Sequence, residues 1–165
     1  MRVDHISISA VVLVLGLALP SSAQIATEPQ AAAIEGAVAA YLRPREQGKA
    51  IAIDIRVGLN RNQMEARPSV RNTALAAALG GSAVLGDTIY ICRTRRPSDC
   101  TLKNVQTLFA FGVPRVTGGS ATVDVRRFDL TTFRRQPVAR MEVRFTLSLQ
   151  NGAWSVIRME VMSQT

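Results

Sequence analysis

Residues 141-MEVRFTLSLQNGAWSVIRMEVM-162 carry the clearest structural pattern of the chain. Apolar and polar residues alternate up to the dipeptide Asn151-Gly152, and a second β-rich segment follows it. A period of two is typical of a strand with one buried face, and Asn-Gly is a strongly favoured two-residue hairpin turn. The stretch therefore predicts a C-terminal β-hairpin. The apolar positions of its first strand are Met141, Val143, Phe145, Leu147 and Leu149.

The sequence leaves the register of this hairpin open. A two-residue loop places Leu147 opposite Val156, whereas a three-residue loop that includes Gln150 places Phe145 opposite Ile157. One residue of slip exchanges the two faces of a strand. The apolar residues after the turn fall at both even and odd positions, which point to opposite faces of a regular strand. They therefore cannot all face one core. We therefore expect either a second β-bulge or apolar contacts on both faces. These residues are Trp154, Val156, Ile157, Met159 and Val161.

Upstream of the hairpin, alternating apolar residues predict strands over 51–59, 105–113 and 121–130, and a short strand is predicted over 88–92. In the third of these strands the apolar phase slips between Val125 and Phe128. One extra residue would produce such a slip. We therefore expect a β-bulge near Arg126-Arg127.

Two helices precede most of these strands. Thr27-Glu28-Pro29-Gln30 has the form of a helix start with a capping box, and the pattern predicts a helix over 27–42. A second helix is predicted over 69–79, where Gly80-Gly81 ends it. The elements together predict an α+β fold in which two N-terminal helices pack on a curved, mainly antiparallel sheet that ends in a β-meander.

Residues 1–23 have the three parts of a secretory signal: Arg2 near the start, an apolar run over 6–19, and small residues before Gln24. The apolar run is shorter than the ~20 residues that span a bilayer, and no second long apolar run follows. We expect cleavage near Ala23-Gln24 and export to the periplasm or the medium, with no membrane span afterwards. Residues 24–165 then suit a single domain.

The net charge is +8, and Arg2 and Asp4 cancel, so the exported chain keeps this charge. A field of this sign attracts acidic partners, such as anionic polymers of the cell envelope. Arg93, Arg95 and Arg96 are the candidate basic patch. Most other arginines are dispersed along the chain, which favours an ordinary solvated surface for them.

The single histidine, His5, lies in the predicted signal. The exported chain therefore lacks the imidazole that Ser-His-Asp catalysis and His-ligated zinc require. We expect no cofactor and no metal. This absence lowers the expectation of an enzyme and leaves carboxylate, tyrosine, lysine or arginine chemistry.

Cys92 and Cys100 are the two cysteines of the chain. Because export leads to an oxidising compartment, we expect them to form a disulfide. The eight-residue separation is not the C-x-x-C spacing of a redox pair, and a two-thiolate metal site lacks further ligands. The disulfide would brace the charged loop between the two cysteines.

The order helix, strand, helix and antiparallel meander, closed by LSLQNGAWSVIRMEV at Leu147–Val161, resembles the nuclear transport factor 2-like superfamily of cystatin-like α+β rolls. The resemblance spans most of residues 27–163. It implies a curved sheet that wraps around helices to form a conical pocket. Members use such pockets as isomerases, dehydratases and epoxide hydrolases, or for binding and dimerisation, and the fold alone does not choose among these functions.

A catalytic pocket of this kind would need an inward-facing carboxylate and a tyrosine. The weak candidates are Tyr41, Asp54, Tyr90, Asp124 and Asp129. Asp54 and Asp124 alternate with the apolar residues of their strands, so the pattern places both on the solvated face.

These observations favour a non-enzymatic exported domain that binds a small apolar ligand or a protein partner. One alternative is a small isomerase or dehydratase that uses an aspartate and a tyrosine. Another is a cationic binder of anionic envelope polymers. Nucleic acid is not an expected partner, and homodimerisation is left open.

Overall fold

The computed structural model of the chain describes residues 22–58, 64–94, 99–130 and 138–164. Most of the predicted signal, residues 1–21, lies outside this range, and so do Arg95 and Arg96 of the predicted basic patch. The predictions that concern these residues stay predictions.

None of the helices formed by the described residues is long and apolar enough to cross a membrane.

The predicted α+β class and the mainly antiparallel sheet are confirmed. The helices are α1 (Glu28–Leu42), α2 (Ser69–Leu79) and the short α3 (Gly86–Ile89), and a 3₁₀ turn over Arg43–Arg45 continues α1. The strands are β1 (Gln24–Ile25), β2 (Ile51–Val57), β3 (Glu65–Ala66), β4 (Ser82–Val84), β5 (Tyr90–Cys92), β6 (Cys100–Leu102), β7 (Thr107–Phe111), β8 (Arg115–Thr117), β9 (Ser120–Leu130), β10 (Val138–Gln150) and β11 (Ala153–Gln164).

Nine of the strands in the described part of the chain form one sheet, and β5 pairs with β6 in a separate hairpin. The long strand β9 lies between β10 on one side and β7 and β8 on the other. Next to β7 lies β2, which runs parallel to both β7 and β4. Strand β11 forms one edge of the sheet because it pairs with β10 alone among the described strands.

The final hairpin has the register of the two-residue loop. Asn151 and Gly152 have φ angles of 51° and 79°, as a type I′ turn requires, and Leu147 lies opposite Val156. The register of the three-residue loop is wrong, since Phe145 lies opposite Met159.

The expected second β-bulge is present in β11. Thr146 pairs with Arg158 and Leu147 with Val156, so Ile157 is an extra residue. Because the bulge adds one residue, the alternation of side chains shifts by one position after it. Met159 and Val161 therefore face the same side of the sheet as Trp154 and Val156. A second shift, between Glu142 and Val143, makes Met162 the other extra residue.

The prediction of a β-bulge near Arg126-Arg127 is wrong. Strand β9 keeps one continuous register with β10 from Ser120 to Leu130, and its pairing with β7 has no shift either. The change of apolar phase has another cause, because apolar residues are buried on both faces of the sheet. Val125 lies in the cluster under the helices, whereas Phe128 packs in a second cluster on the other face.

We call these two faces the inner face, which packs against α1 and α2, and the outer face, which packs against Tyr90 and the segment 102–105. The inner cluster contains the three large buried phenylalanines, and the outer one is smaller. Inner residues include Ile34, Val38, Ile53, Leu75, Phe109, Phe111, Val125, Phe145 and Leu147. Outer residues are Ala52, Leu102, Val105, Leu108 and Val138, with Val84, Ile89, Tyr90 and Phe128 against them.

The two-faced core corrects the expectation for Asp54. The pattern of β2 placed this side chain on a solvated face, but Asp54 is only 3% exposed. Strand β2 lies inside the sheet, between β7 and the pair β3 and β4. Because the outer face is also covered there, side chains on both faces of β2 are buried.

A buried ionic cluster joins the two long helices to β2. Glu35 of α1 is 1% exposed, and both of its carboxylate oxygens accept hydrogen bonds of 2.7 Å from Arg71 of α2. The Nε of Arg67 lies 3.4 Å from the same carboxylate, and its Nη1 donates to the backbone oxygen of Asp54. Asn72 accepts a further hydrogen bond from Arg67. One buried anion therefore stands between two arginines.

We predict that the turn residue Gly152 contributes more to stability than a neighbouring turn glycine. Gly152→Ala should lower the free energy of unfolding by about 1 kcal/mol, because the left-handed backbone disfavours a side chain. Gly119→Ala is the matched control: a Cβ at either glycine meets no atom within 4 Å, but only Gly152 has a positive φ. Urea unfolding measures both, and equal losses would contradict the prediction.

We also predict that Glu35 matters far more than an exposed carboxylate with the same hydrogen-bond geometry. Glu35→Gln should cost about 3–5 kcal/mol, because the buried Arg67 loses its carboxylate partner and the buried Arg71 keeps only the exposed Glu28. The control is Asp124→Asn, which removes the carboxylate that accepts two hydrogen bonds from Arg144. This second pair is 29% and 43% exposed, so its loss should cost less than about 1 kcal/mol. Comparable losses in thermal or urea unfolding would refute the assignment.

Candidate functional site

A cavity of about 250 Å³ lies on the inner face, between the end of α1 and the last strands of the sheet. We call it the inner cavity. Its walls are apolar except for two arginines. The residues that line it are Leu42, Arg45, Phe109, Val125, Arg127, Met141, Val143, Phe145, Met159 and Val161.

The bulge in β11 helps to form this cavity. Because Ile157 is the extra residue, Met159 and Val161 turn to the inner face opposite Phe145 and Val143. They are 44% and 52% exposed, so the β11 wall of the cavity is also the side that reaches solvent. An apolar ligand could therefore enter there without rearrangement of the core.

Arg127, one of the two cations in the cavity, is neutralised by the protein itself. Its Nη1 lies 2.7 Å from Oε1 of Glu46, and its Nε lies 2.6 Å from Oδ2 of Asp129. Glu46 is 2% exposed and also pairs with Lys49 at 2.8 Å. Asp129 in turn accepts a hydrogen bond from Thr107. This cluster closes the floor of the cavity with balanced charge.

Arg45, the other cation, has no carboxylate within salt-bridge distance among the described residues. Its guanidinium lies 3.9 Å from the centre of the Tyr41 ring, and its Nη1 donates to the backbone oxygen of Tyr41. These contacts hold the side chain at the rim of the cavity and use one of its five N–H groups. The remaining donors can bind an anion.

A second cavity, of about 200 Å³, lies on the outer face, and we call it the outer cavity. It is far more polar, because three arginines and two aspartates line it together with aromatic and aliphatic groups. The lining residues are Asp54, Arg56, Met64, Gly86, Asp87, Tyr90, Leu108, Ala110, Arg126, Phe128 and Arg140.

The outer cavity brings together two of the predicted catalytic candidates, Asp54 and Tyr90. The Asp54 carboxylate accepts hydrogen bonds of 3.0 and 2.8 Å from Nε and Nη2 of Arg56. Arg56 also donates to Asp87, and its hydrogen bonds to Asp54 and Asp87 raise the pKa of its guanidinium. Proton transfer to Asp54 would have to break this two-point ion pair, so the arrangement favours a fixed charge cluster over a general base.

The other candidates lie elsewhere. Tyr41 is on the inner side, where its ring and that of Phe145 pack in a T-shaped arrangement with 5.9 Å between the ring centroids. Asp124 pairs with Arg144 on the outer face, and hydrogen bonding to Asp124 raises the pKa of that guanidinium. Asp129 belongs to the Arg127 cluster. The five candidates therefore do not converge on one site.

The predicted disulfide is present. Cys92 and Cys100 lie opposite each other in the β5–β6 hairpin and are joined by an S–S bond. Of the basic-patch candidates only Arg93 lies in the described range, where it is exposed and its N–H donates to the Asp99 carbonyl. Groups of three or more potential metal ligands are absent from the segments that the structure covers.

Sequence reasoning missed Arg45 and Glu46, which flank the inner cavity. The sequence contained one signal, since Arg45-Glu46 directly follows the Arg43-Pro44 stop of α1 and thus lies where that helix meets the sheet. It also missed Glu35, which falls within the buried stripe of α1 formed by Ala31, Ile34, Val38, Ala39 and Leu42. A carboxylate inside an apolar stripe indicates a buried partner.

Comparison of the chain with protein-family models, curated proteins and solved structures finds no match.

Close packing at Gly86 yields a prediction for the outer cavity. A Cβ at Gly86 would lie 2.2 Å from Oδ2 of Asp54, so Gly86→Ala should displace the ion pair and cost about 1–3 kcal/mol. Gly36→Ala in α1 is the control, because its Cβ meets nothing within 4 Å. It should stabilise the protein by about 0.5–1 kcal/mol through helix propensity. Thermal unfolding should therefore shift in opposite directions, and a shift of the same sign would refute the account.

Proposed function

We propose that the protein is an exported binding domain whose inner cavity holds a small ligand with an apolar body and an anionic end. The single observation that carries this proposal is an apolar cavity with the guanidinium of Arg45 at its rim, which has no carboxylate partner among the described residues. Eight of the ten residues that line it are aliphatic, aromatic or methionine side chains. Few polar groups at fixed places in an otherwise apolar concavity are typical of small-molecule sites.

The volume limits the ligand to a small molecule. A closed apolar cavity of about 150 Å³ is enough for benzene, and drug-sized ligands occupy cavities from about 300 Å³ upward. At about 250 Å³ the inner cavity suits a substituted single ring or a short acyl chain. A long lipid would extend past Met159 and Val161 into solvent.

The charges select an anion. Arg127 is ion-paired with Glu46 and Asp129, so it would add little binding energy for an anionic ligand. Arg45 keeps free donors and is held in place by the Tyr41 ring. A carboxylate or sulfonate at the rim would receive charge-assisted hydrogen bonds from this guanidinium while its apolar part stays inside.

Two further observations support export and the resemblance to nuclear transport factor 2-like proteins. The Cys92–Cys100 disulfide fits an oxidising compartment and agrees with the signal pattern of residues 1–23. A cavity between helix α1 and the sheet lies where the conical pocket of that superfamily is expected. The periplasm or medium, and membership of the superfamily, are part of this proposal.

The proposal predicts selective binding of small apolar carboxylates. In saturation-transfer NMR, benzoate and hexanoate should bind more tightly than benzamide and hexanol, which share their apolar parts. Arg45→Gln should weaken carboxylate binding about tenfold, the effect of losing one charged hydrogen bond, and leave the neutral analogues unchanged. Val143→Phe should weaken all four probes because it fills the cavity.

Arg43→Gln is the matched control, because Arg43 lies in the same turn and is exposed but does not line the cavity. It should leave binding unchanged. Equal losses in the Arg43 and Arg45 variants would indicate general attraction to positive charge and refute the proposed site. Absence of binding by all four probes would refute it too.

A further inference from the structure

We propose that two copies of the chain associate through the edge strand β11, which pairs with β11 of the second copy in antiparallel fashion with Met159 opposite Met159. The two-fold axis passes through this residue pair, so every other contact occurs twice. The paired edge borders the inner cavity, because Met159 and Val161 also line it, but the inference does not depend on the proposed function.

Strand β11 is a long edge of the sheet that no other described strand covers. It is twelve residues long and pairs with β10 on one side, while none of the other described strands pairs with its second side. A free edge presents a row of N–H and C=O groups that can pair with another strand. Lysine and proline, which commonly protect such edges, do not occur in β11. Its two bulges and its charged residues would protect it against regular pairing with unrelated strands, so a partner must match both.

The strand also exposes an unusual amount of apolar side chain. Within the described residues ten large apolar side chains are exposed, and four of them lie within six positions of β11. A concentration of this kind on one edge is typical of an interaction surface. The four are Ile157 at 59%, Met159 at 44%, Val161 at 52% and Met162 at 51%.

The sequence of β11 is complementary to itself about Met159. In the proposed register Arg158 of each copy lies opposite Glu160 of the other, and Ile157 lies opposite Val161. Further out, Ser155 lies opposite Ser163. Opposite charges and apolar pairs across strands both stabilise a sheet, and a two-fold interface requires such self-complementarity.

The faces of the polar residues agree with this register as well. Arg158 and Glu160 lie on the outer side of the sheet, since they pair with Thr146 and Arg144 of β10. Ser163 lies opposite Glu142 on the same side. Directly opposed residues in an antiparallel pair share a face, so the proposed partners of Arg158 and Ser155 are on the correct side.

The charges also disfavour the neighbouring registers. A shift that centres the pair on Arg158 places two arginines opposite each other, and a shift to Glu160 places two glutamates opposite each other. Like charges directly opposed destabilise a sheet. Within one chain Arg158 and Glu160 approach to 2.6 Å and remain 67% and 39% exposed, so a second copy can reach both side chains and exchange this pair for pairs between the copies.

Charge reversal tests the register. Sedimentation velocity of the purified chain at tens of micromolar should show a dimer. Arg158→Glu and Glu160→Arg, each alone, should weaken dimerisation about tenfold or more, because two like-charge contacts replace two attractive ones. The double variant Arg158→Glu/Glu160→Arg should restore it.

Mixing the two single variants provides a test that misfolding cannot imitate. The Arg158→Glu chain carries two glutamates and the Glu160→Arg chain two arginines, so the mixture should form heterodimers while each alone is weakened. Val70→Asp is the control for nonspecific apolar association, because Val70 is 81% exposed on α2 and should not affect the dimer.

Three outcomes would overturn the proposal. A wild-type chain that stays monomeric would do so, and so would a dimer that both single variants leave intact. A double variant that fails to dimerise, although its urea unfolding matches the wild type, would exclude this register. The ligand experiment reads binding at Arg45, so its outcome is scored separately from these three.

Discussion

The buried carboxylate of Glu35 is the contact on which the arrangement of helices and sheet depends. Its two oxygens bind Arg71 of α2, and Arg67 connects the same anion to the backbone of β2. A buried ion is tolerated only when its charge and its hydrogen bonds are compensated. The contacts of Glu35 with Arg71 and Arg67 therefore fix how α1 packs against α2 and β2. They also fix the position of the end of α1 above the sheet.

That position creates the inner cavity. Helix α1 ends at Leu42, and the turn after it places Arg45 at the rim and the buried Glu46 beside Arg127. Glu46 and Asp129 neutralise Arg127, so the floor of the cavity does not need a charged ligand to balance it. The exposed Arg45 has no carboxylate partner among the described residues. Selection for an anionic ligand would therefore act at the rim of the cavity and not inside it.

The sheet has a buried face on each side, and this explains the pattern of polar residues. On the outer face Asp54, Arg56 and Asp87 form a charge cluster beside Tyr90 and Phe128. On the inner face aromatic and aliphatic groups dominate. The two cavities therefore differ in chemistry. The acidic candidates Asp54 and Asp124 fall on the outer side, where arginines already bind them, whereas Asp129 binds Arg127 at the inner cavity.

The sequence by itself determined the α+β class, the final hairpin with its Asn151-Gly152 turn, and the Cys92–Cys100 disulfide, because each depends on neighbouring residues or on a very small number of alternatives. Glycine and asparagine tolerate positive φ, and two cysteines allow one intramolecular pair. A helix placed over 69–79 likewise corresponds to Ser69–Leu79, since glycines end it locally.

Only the tertiary structure decided which residues are buried and which charges meet. Asp54 alternates with isoleucines as a solvated residue would, yet the neighbours of β2 and the cover on the outer face bury it. The slip between Val125 and Phe128 looked like an inserted residue but reflects two apolar faces. Glu35 and Arg71 lie 36 positions apart. Burial and pairing at such separations depend on how strands and helices pack, and no local pattern contains that information.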